Sequence, residues 1–187
     1  VIEIGLWLHN IDRLRDELRT QQDKLSLANS QYEDTENSLN EIEELIEKCV
    51  TDTQDINIRD PFVLKENGIY YLYGTRGRNF GQKTGGFDVY KGTDLINWSE
   101  PEMIFDSEKF SLNKNSNWAP EVHKFNGRYY MFATFEKEDG MRGTYSLVCN
   151  SPDGEFTKCS ETSLTPDGWW CLDGTLYISR DQKPYLV

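Results

Sequence analysis

The sequence predicts a mostly β fold built from repeated hairpin units and preceded by one long α-helix. Three observations predict it. Apolar residues recur in heptads through the first fifty positions. Beyond residue 52 the chain turns to short runs of Tyr, Phe, Val and Ile, broken by Asn-Gly, Gly-Gly and Asp-Gly pairs that signal hairpins. The segment DPFVLKENGIYYLYGT, from Asp60, returns 59 residues later as APEVHKFNGRYYMFAT, from Ala119.

The helix comes first. Every seventh residue from Ile4 gives Ile4, Ile11, Leu18, Leu25, Tyr32, Leu39 and Ile46, all apolar. Three positions on stand Trp7, Leu14, Gln21, Ala28, Thr35, Ile42 and Cys49, which are mostly apolar. This is a coiled-coil seam with strong a and weaker d positions, with Gln21 and Thr35 costing stability but helping to fix register. No proline interrupts it, and Asp and Glu fill the outer face. So narrow a stripe cannot be buried on its own helix. It needs a partner helix, a second copy of itself through residues 4–49, or the adjoining domain. The reading is an oligomerising stalk over residues 1–51, set against a junction helix with no part in the chemistry.

Residues 52–187 carry the repeat. Pro61 matches Pro120, Gly68 matches Gly127, Tyr70-Tyr71 match Tyr129-Tyr130, and Thr75 matches Thr134. The later hairpins keep the offset, with VYKGTDLINW from Val89 parallel to VCNSPDGEF from Val148. A third copy opens at DGTLYISRDQKPYLV, from Asp173. A repeat of roughly 40–60 residues with about four strands is the pattern of a β-propeller blade. The expectation is two blades and the start of a third, about two and a half, an incomplete propeller. The chain begins at Val1 rather than Met and stops inside a strand pattern, so a piece of a longer protein is expected.

Charge excludes some partners. Residues 1–50 hold 12 acids and 5 bases, a net of −7, which leaves −5 of the total −12 for the rest. Nucleic acid or an anionic membrane would repel such a chain. No run of about 20 apolar residues exists to cross a bilayer. VIEIGLWLHN lacks the basic start of a secretory signal, which favours a cytoplasmic setting for the chain as it stands. Cys49, Cys149, Cys159 and Cys171 show no C-x-x-C spacing and no histidine set, against a zinc site. Free thiols are favoured over a Cys149–Cys159 disulfide across the turn SPDGEF.

The carboxylates are the candidates for chemistry. In a propeller the first strand of each blade lines the central channel. Asp60 and Asp173 take the same place in the first and third copies, and Ala119 takes it in the second. Two acids brought to one mouth suit acid–base work, although each Asp also suits a plain turn. The ordered set NIRDPFVLKENGIYYLYGT, DLINW, NWAPEVHKFNGRYYMFAT, SPDGEF and LDGTLYISRDQKPYLV, from Gln54 to Val187, resembles glycoside hydrolase family 43. The resemblance implies a five-bladed propeller that removes arabinofuranosyl or xylosyl units from plant polysaccharides and oligosaccharides with inversion. It makes Asp60, in RDP, the general base that activates water. It makes Asp173, in LDGT, the acid that tunes the proton donor. The family's general acid, a glutamate in a later strand, has no match here, so residues 1–187 alone are expected to be inactive. Some members hold calcium in the channel, and no residue here marks its place; no other cofactor is expected.

An inverting hydrolase sets base and acid roughly 6.5–9.5 Å apart to admit a water. Glu121, in WAPEVH, sits two residues past the position matching Asp60 and is read as a structural or substrate contact rather than as the missing acid. Trp118, Trp169 and Trp170 are candidates to stack on a sugar, and core packing is the competing reading. Trp98 is read as packing. His123 is either a channel residue or a hydrogen-bonded core histidine, and Arg59 either orients the base or is a solvated strand-end charge. Two alternatives keep the fold: a fructoside-acting five-bladed glycosidase, and a non-catalytic carbohydrate-binding propeller on the stalk. A third makes the stalk the main feature, binding another protein.

Overall fold

The computed structural model describes residues 2–77, 85–113, 116–137 and 139–187, with side chains from residue 9 onward. The stripe residues Ile4 and Trp7 therefore lie outside the described side chains. The chain forms two compact units, Val1–Glu44 and Leu45–Val187.

Helix α1 runs Ile2–Lys48, with Lys48 in the last turn, where a cation complements the carbonyl end of the helix. Within the first unit the predicted stripe is open, with Leu14, Leu18, Leu25, Tyr32 and Leu39 all exposed. No helix is long and apolar enough to cross a membrane among the described residues.

In the second unit, β1 (Thr51–Asp52) and β5 (Asn97–Trp98) form a short ladder. One four-stranded antiparallel sheet contains β2 (Ile58–Glu66), β3 (Ile69–Arg76), β4 (Gly86–Gly92) and β6 (Glu102–Asp106), in that order. The next contains β7 (Asn117–Phe125), β8 (Arg128–Glu136), β9 (Arg142–Cys149) and β10 (Thr157–Lys158). A hairpin of β11 (Leu176–Ile178) and β12 (Pro184–Leu186) follows. Both repeated hairpins turn on left-handed Asn-Gly pairs, Asn67-Gly68 and Asn126-Gly127, where positive φ needs glycine or a tolerant asparagine.

The second half of the repeat differs between the sheets. In the later copy Thr157–Lys158 pairs with Val148–Leu147 as the fourth strand. In the earlier copy Asn97–Trp98 pairs instead with Asp52–Thr51, and Glu102–Asp106 takes the fourth place. Local bonds explain the departure. Asp94 accepts from the amides of Ile96 and Asn97 at 2.8 and 2.7 Å, and the Trp98 indole donates to Thr53 Oγ1 at 2.9 Å. Trp98 is buried, in a small cluster with Leu72 and Tyr90.

The main core lies between the two sheets. Tyr73, Phe87, Ile104 and Phe105 of the first meet Val122, Met131, Phe135, Leu147 and Phe156 of the second. Phe135 packs edge-on against both Phe87 and Phe105 at 5.7 Å. Burying each such ring contributes on the order of 1.5–3 kcal/mol. The turn SPDGEF ties the two sheets together. The Phe156 amide donates to the Ile104 carbonyl at 2.8 Å, the Tyr73 hydroxyl donates to the Pro152 carbonyl at 2.8 Å, and Lys91 Nζ lies 3.2 Å from Asp153. Burial works against the Asp153 charge, but the Ser151 hydroxyl and the Lys91 ammonium together hold its carboxyl below the usual range.

All four cysteines are free thiols. The Cys159 amide bonds to the Ser146 carbonyl, so Cys159 stands opposite Ser146 and not opposite Cys149. Register alone keeps that pair apart.

Candidate active site

The site begins with an irregularity in the innermost strand of each sheet. In β2 the pairing jumps from Arg59↔Thr75 to Phe62↔Tyr73, so that Asp60 and Pro61 together face the single residue Gly74. In β7 it jumps from Trp118↔Thr134 to Glu121↔Phe132, so that Ala119 and Pro120 face Ala133. These are β-bulges, which re-aim a side chain and leave room for a proline that cannot join the ladder. Asp60 and Ala119 are left-handed, at φ 51° and 46°, and Asp173 is too, at 55°. Aspartate tolerates that conformation better than most residues, whereas alanine does not. Asp60 therefore sits inside its strand, two residues past the start at Ile58, and both aspartates are exposed.

Buried threonines tie these positions together. Thr75 Oγ1 donates to Asp60 Oδ2 at 2.7 Å and accepts from the Ala119 amide of the next sheet at 2.8 Å. Thr134 Oγ1, its counterpart, accepts from the Asp173 amide at 3.0 Å. Gly174 is needed beside Asp173, since a Cβ there would meet Thr144 Oγ1 at 2.8 Å and Leu186 Cδ1 at 2.9 Å.

A stacked cation joins the two predicted tryptophans Trp118 and Trp170. The Arg142 guanidinium sits 4.6 Å from the Trp118 ring and 5.5 Å from the Trp170 ring, and its Nη1 lies 2.6 Å from Glu136 Oε2. Arg142, followed by the Ser116 hydroxyl, holds the Glu136 carboxyl below its ordinary range. Arg142 Nε is buried without a hydrogen-bond partner among the described residues. Trp170 turns most of its surface outward, 61% exposed, while the amide of the adjoining Cys171 donates to the Arg142 carbonyl at 3.2 Å. Thr75 thus holds Asp60, Thr134 holds the Asp173 amide, and Arg142 brings Trp118 and Trp170 together.

The remaining predicted residues divide. Glu121 and His123, two apart in β7, lie 3.2 Å from each other, and the His123 ring packs 5.1 Å from Phe62. His123 is thus half-buried and bonded. Arg59 is exposed, its backbone paired with Thr75. Trp169 is exposed and offers its carbonyl to Lys137 Nζ at 3.5 Å. No cluster of three or more His, Cys, Asp or Glu suited to a metal occurs among the described residues.

Comparison with known proteins shows the family. The profile of glycosyl hydrolases family 43 matches residues 54–187. The chain belongs to that family. Among solved structures, the endo-arabinase of Bacteroides thetaiotaomicron shares 36% identity with it at a TM-score of 0.61, over 74% of this chain and 47% of that one. A thermostable family-43 glycoside hydrolase shares 31% at 0.61, over 73% and 44%. A β-xylosidase/α-arabinofuranosidase from a compost metagenome, at 18% identity and 0.56, over 74% and 43%, shares the fold. This family-43 chain spans less than half the length of those three proteins.

Two features escaped the sequence reading. Thr75 and Thr134 were visible as matched positions, but a repeat match does not say which atoms bond. Arg142 gave no signal, because its aromatic partners lie 24 and 28 residues away along the chain.

Proposed function

We propose that this chain supplies the base side of an inverting glycosidase acting on arabinofuranosyl or xylosyl linkages of oligosaccharides or polysaccharides. Asp60 is the general base for the attacking water, and Asp173 tunes the proton donor. The supporting observation is the left-handed backbone shared by Asp60 and Asp173, both exposed and each bonded to a buried threonine. Trp118 and Trp170 supply aromatic faces for a sugar, and Arg59, Glu121 and His123 lie on the strands bearing the base and Trp118. Arabinofuranosyl linkages are favoured by the 36% identity with an endo-arabinase.

The architecture that fits is a five-bladed propeller to which these residues give two blades and part of a third. No glutamate in residues 52–187 is assigned as general acid, so the activity is proposed for an acid-bearing form, and residues 1–187 alone are expected to bind without turnover. The test is proton NMR of the first sugar released from an aryl arabinofuranoside and an aryl xyloside. Inverted anomeric configuration is expected. Retention would overturn the reading and favour the fructosidase-like alternative, whereas binding without turnover by the acid-bearing form would favour a carbohydrate-binding propeller.

The helix is proposed to self-associate through residues 4–49, because Leu18, Leu25, Tyr32 and Leu39 form an exposed heptad stripe. Sedimentation equilibrium of the full chain is expected to give an oligomer. Leu18→Glu with Leu25→Glu should return it to monomer. A wild-type monomer at micromolar concentration would end this proposal.

A further inference from the structure

We infer that Thr75 is a positioning residue for the base: its hydroxyl aims the Asp60 carboxylate and couples that aim to the neighbouring sheet. The inference rests on the reading of Asp60 as base and adds the group that controls it. A threonine hydroxyl has one proton to give. The Ala119 amide occupies one side of Thr75 Oγ1 at 2.8 Å, which directs that proton toward Asp60 Oδ2 at 2.7 Å. The amide polarises the hydroxyl, and the hydroxyl donates to a carboxylate, so each bond strengthens the other. Thr75 is 3% exposed, so solvent does not compete for that proton. Asp60, by contrast, is exposed and left-handed, with a side chain that would otherwise choose among rotamers. With Oδ2 bonded, Oδ1 has no hydrogen-bond partner among the described residues and is the atom to face water.

The counterpart serves as an internal control. Thr134 makes the same bridge, accepting from the Asp173 amide at 3.0 Å. Its own sheet has Ala119 where the first has Asp60, so no carboxylate stands at that place to receive its proton. The bridge between sheets is common to both threonines. The bond to a carboxylate belongs to Thr75.

The test has two arms. In the 187-residue chain with 13C-labelled Asp carboxyls, the Asp60 resonance is identified by its loss in Asp60→Asn. Thr75→Val is expected to move it at neutral pH, Thr75→Ser to restore it, and Thr134→Val to leave it in place. In the acid-bearing form, Thr75→Val should cut kcat by on the order of 10²-fold, the cost of a misplaced reacting group, with KM little changed. Thr75→Ser should recover most of the rate. If Thr75→Val does not fold, Thr75→Ala takes its place in both arms. An unmoved Asp60 resonance and an unchanged kcat, with only the thermal destabilisation that Thr134→Val also shows, would overturn the inference. If Asp60→Ala keeps full turnover, the reading of the base fails instead, while the resonance arm still reports on the Thr75–Asp60 bond.

Discussion

Asp60→Asn in the acid-bearing form is expected to lower kcat on aryl arabinofuranosides by about 10²–10⁴-fold while leaving sugar binding intact. The substitution is nearly isosteric. Asparagine retains a carbonyl oxygen to accept the Thr75 hydroxyl, so the aim of the side chain is kept and its basicity is lost. A loss of that size corresponds to roughly 3–5.5 kcal/mol of transition-state stabilisation, more than any single substrate contact here is asked to supply. Azide offers a second readout, since it is already a nucleophile and needs no proton removed. Added azide should therefore restore turnover in Asp60→Asn and yield a glycosyl azide of inverted configuration. A wild-type rate in the mutant would remove Asp60 from the chemistry.

The aim of Asp60 was only half legible in the sequence. Asp-Pro after a strand-like lead reads as a turn or a strand mouth. The structure puts the pair inside β2 as a bulge, because proline cannot donate to the ladder and Gly74 opposite leaves the backbone free to approach; a Cβ there would come 2.8 Å from the Arg59 carbonyl. The repeat exposed the two sheets and the Asp60–Ala119–Asp173 correspondence, since both follow from spacing. It misplaced DLINW, because the Asp94 turn and the Trp98–Thr53 bond are local choices that a periodic match averages away. Arg142 was illegible for another reason. A cation stacked between two tryptophans from different segments exists only once the fold has gathered them. Resemblance to a family supplied the roles of Asp60 and Asp173; the residues alone suggested carboxylates at one mouth and no more.

The largest stability effect is expected beside Thr75, at the end of β3. Arg76 follows Thr75, and its Nε and Nη2 lie 2.6 Å from Asp88 Oδ2 and Oδ1, a bidentate pair between β3 and β4. Both side chains are nearly enclosed, at 10% and 7% exposure. Burial, and after it the Asp88 carboxylate, pushes the nearby Tyr90 phenol up to about 12. Asp88→Ala takes this carboxylate away and leaves a desolvated guanidinium without it, which should destabilise the second unit by about 3–5 kcal/mol in urea unfolding. Arg76→Met with Asp88→Leu should cost much less than Asp88→Ala, because it removes both buried charges together. The two results separate a pair that merely tolerates burial from one that drives folding. If Asp88→Ala costs under about 1 kcal/mol, the pair behaves as a solvated surface bridge and does not anchor β3. If the cost is as expected, the end of β3 is held on both flanks, by Asp88 beyond it and by the Thr75 bridge before it. A base that must be aimed then has a rigid strand behind it.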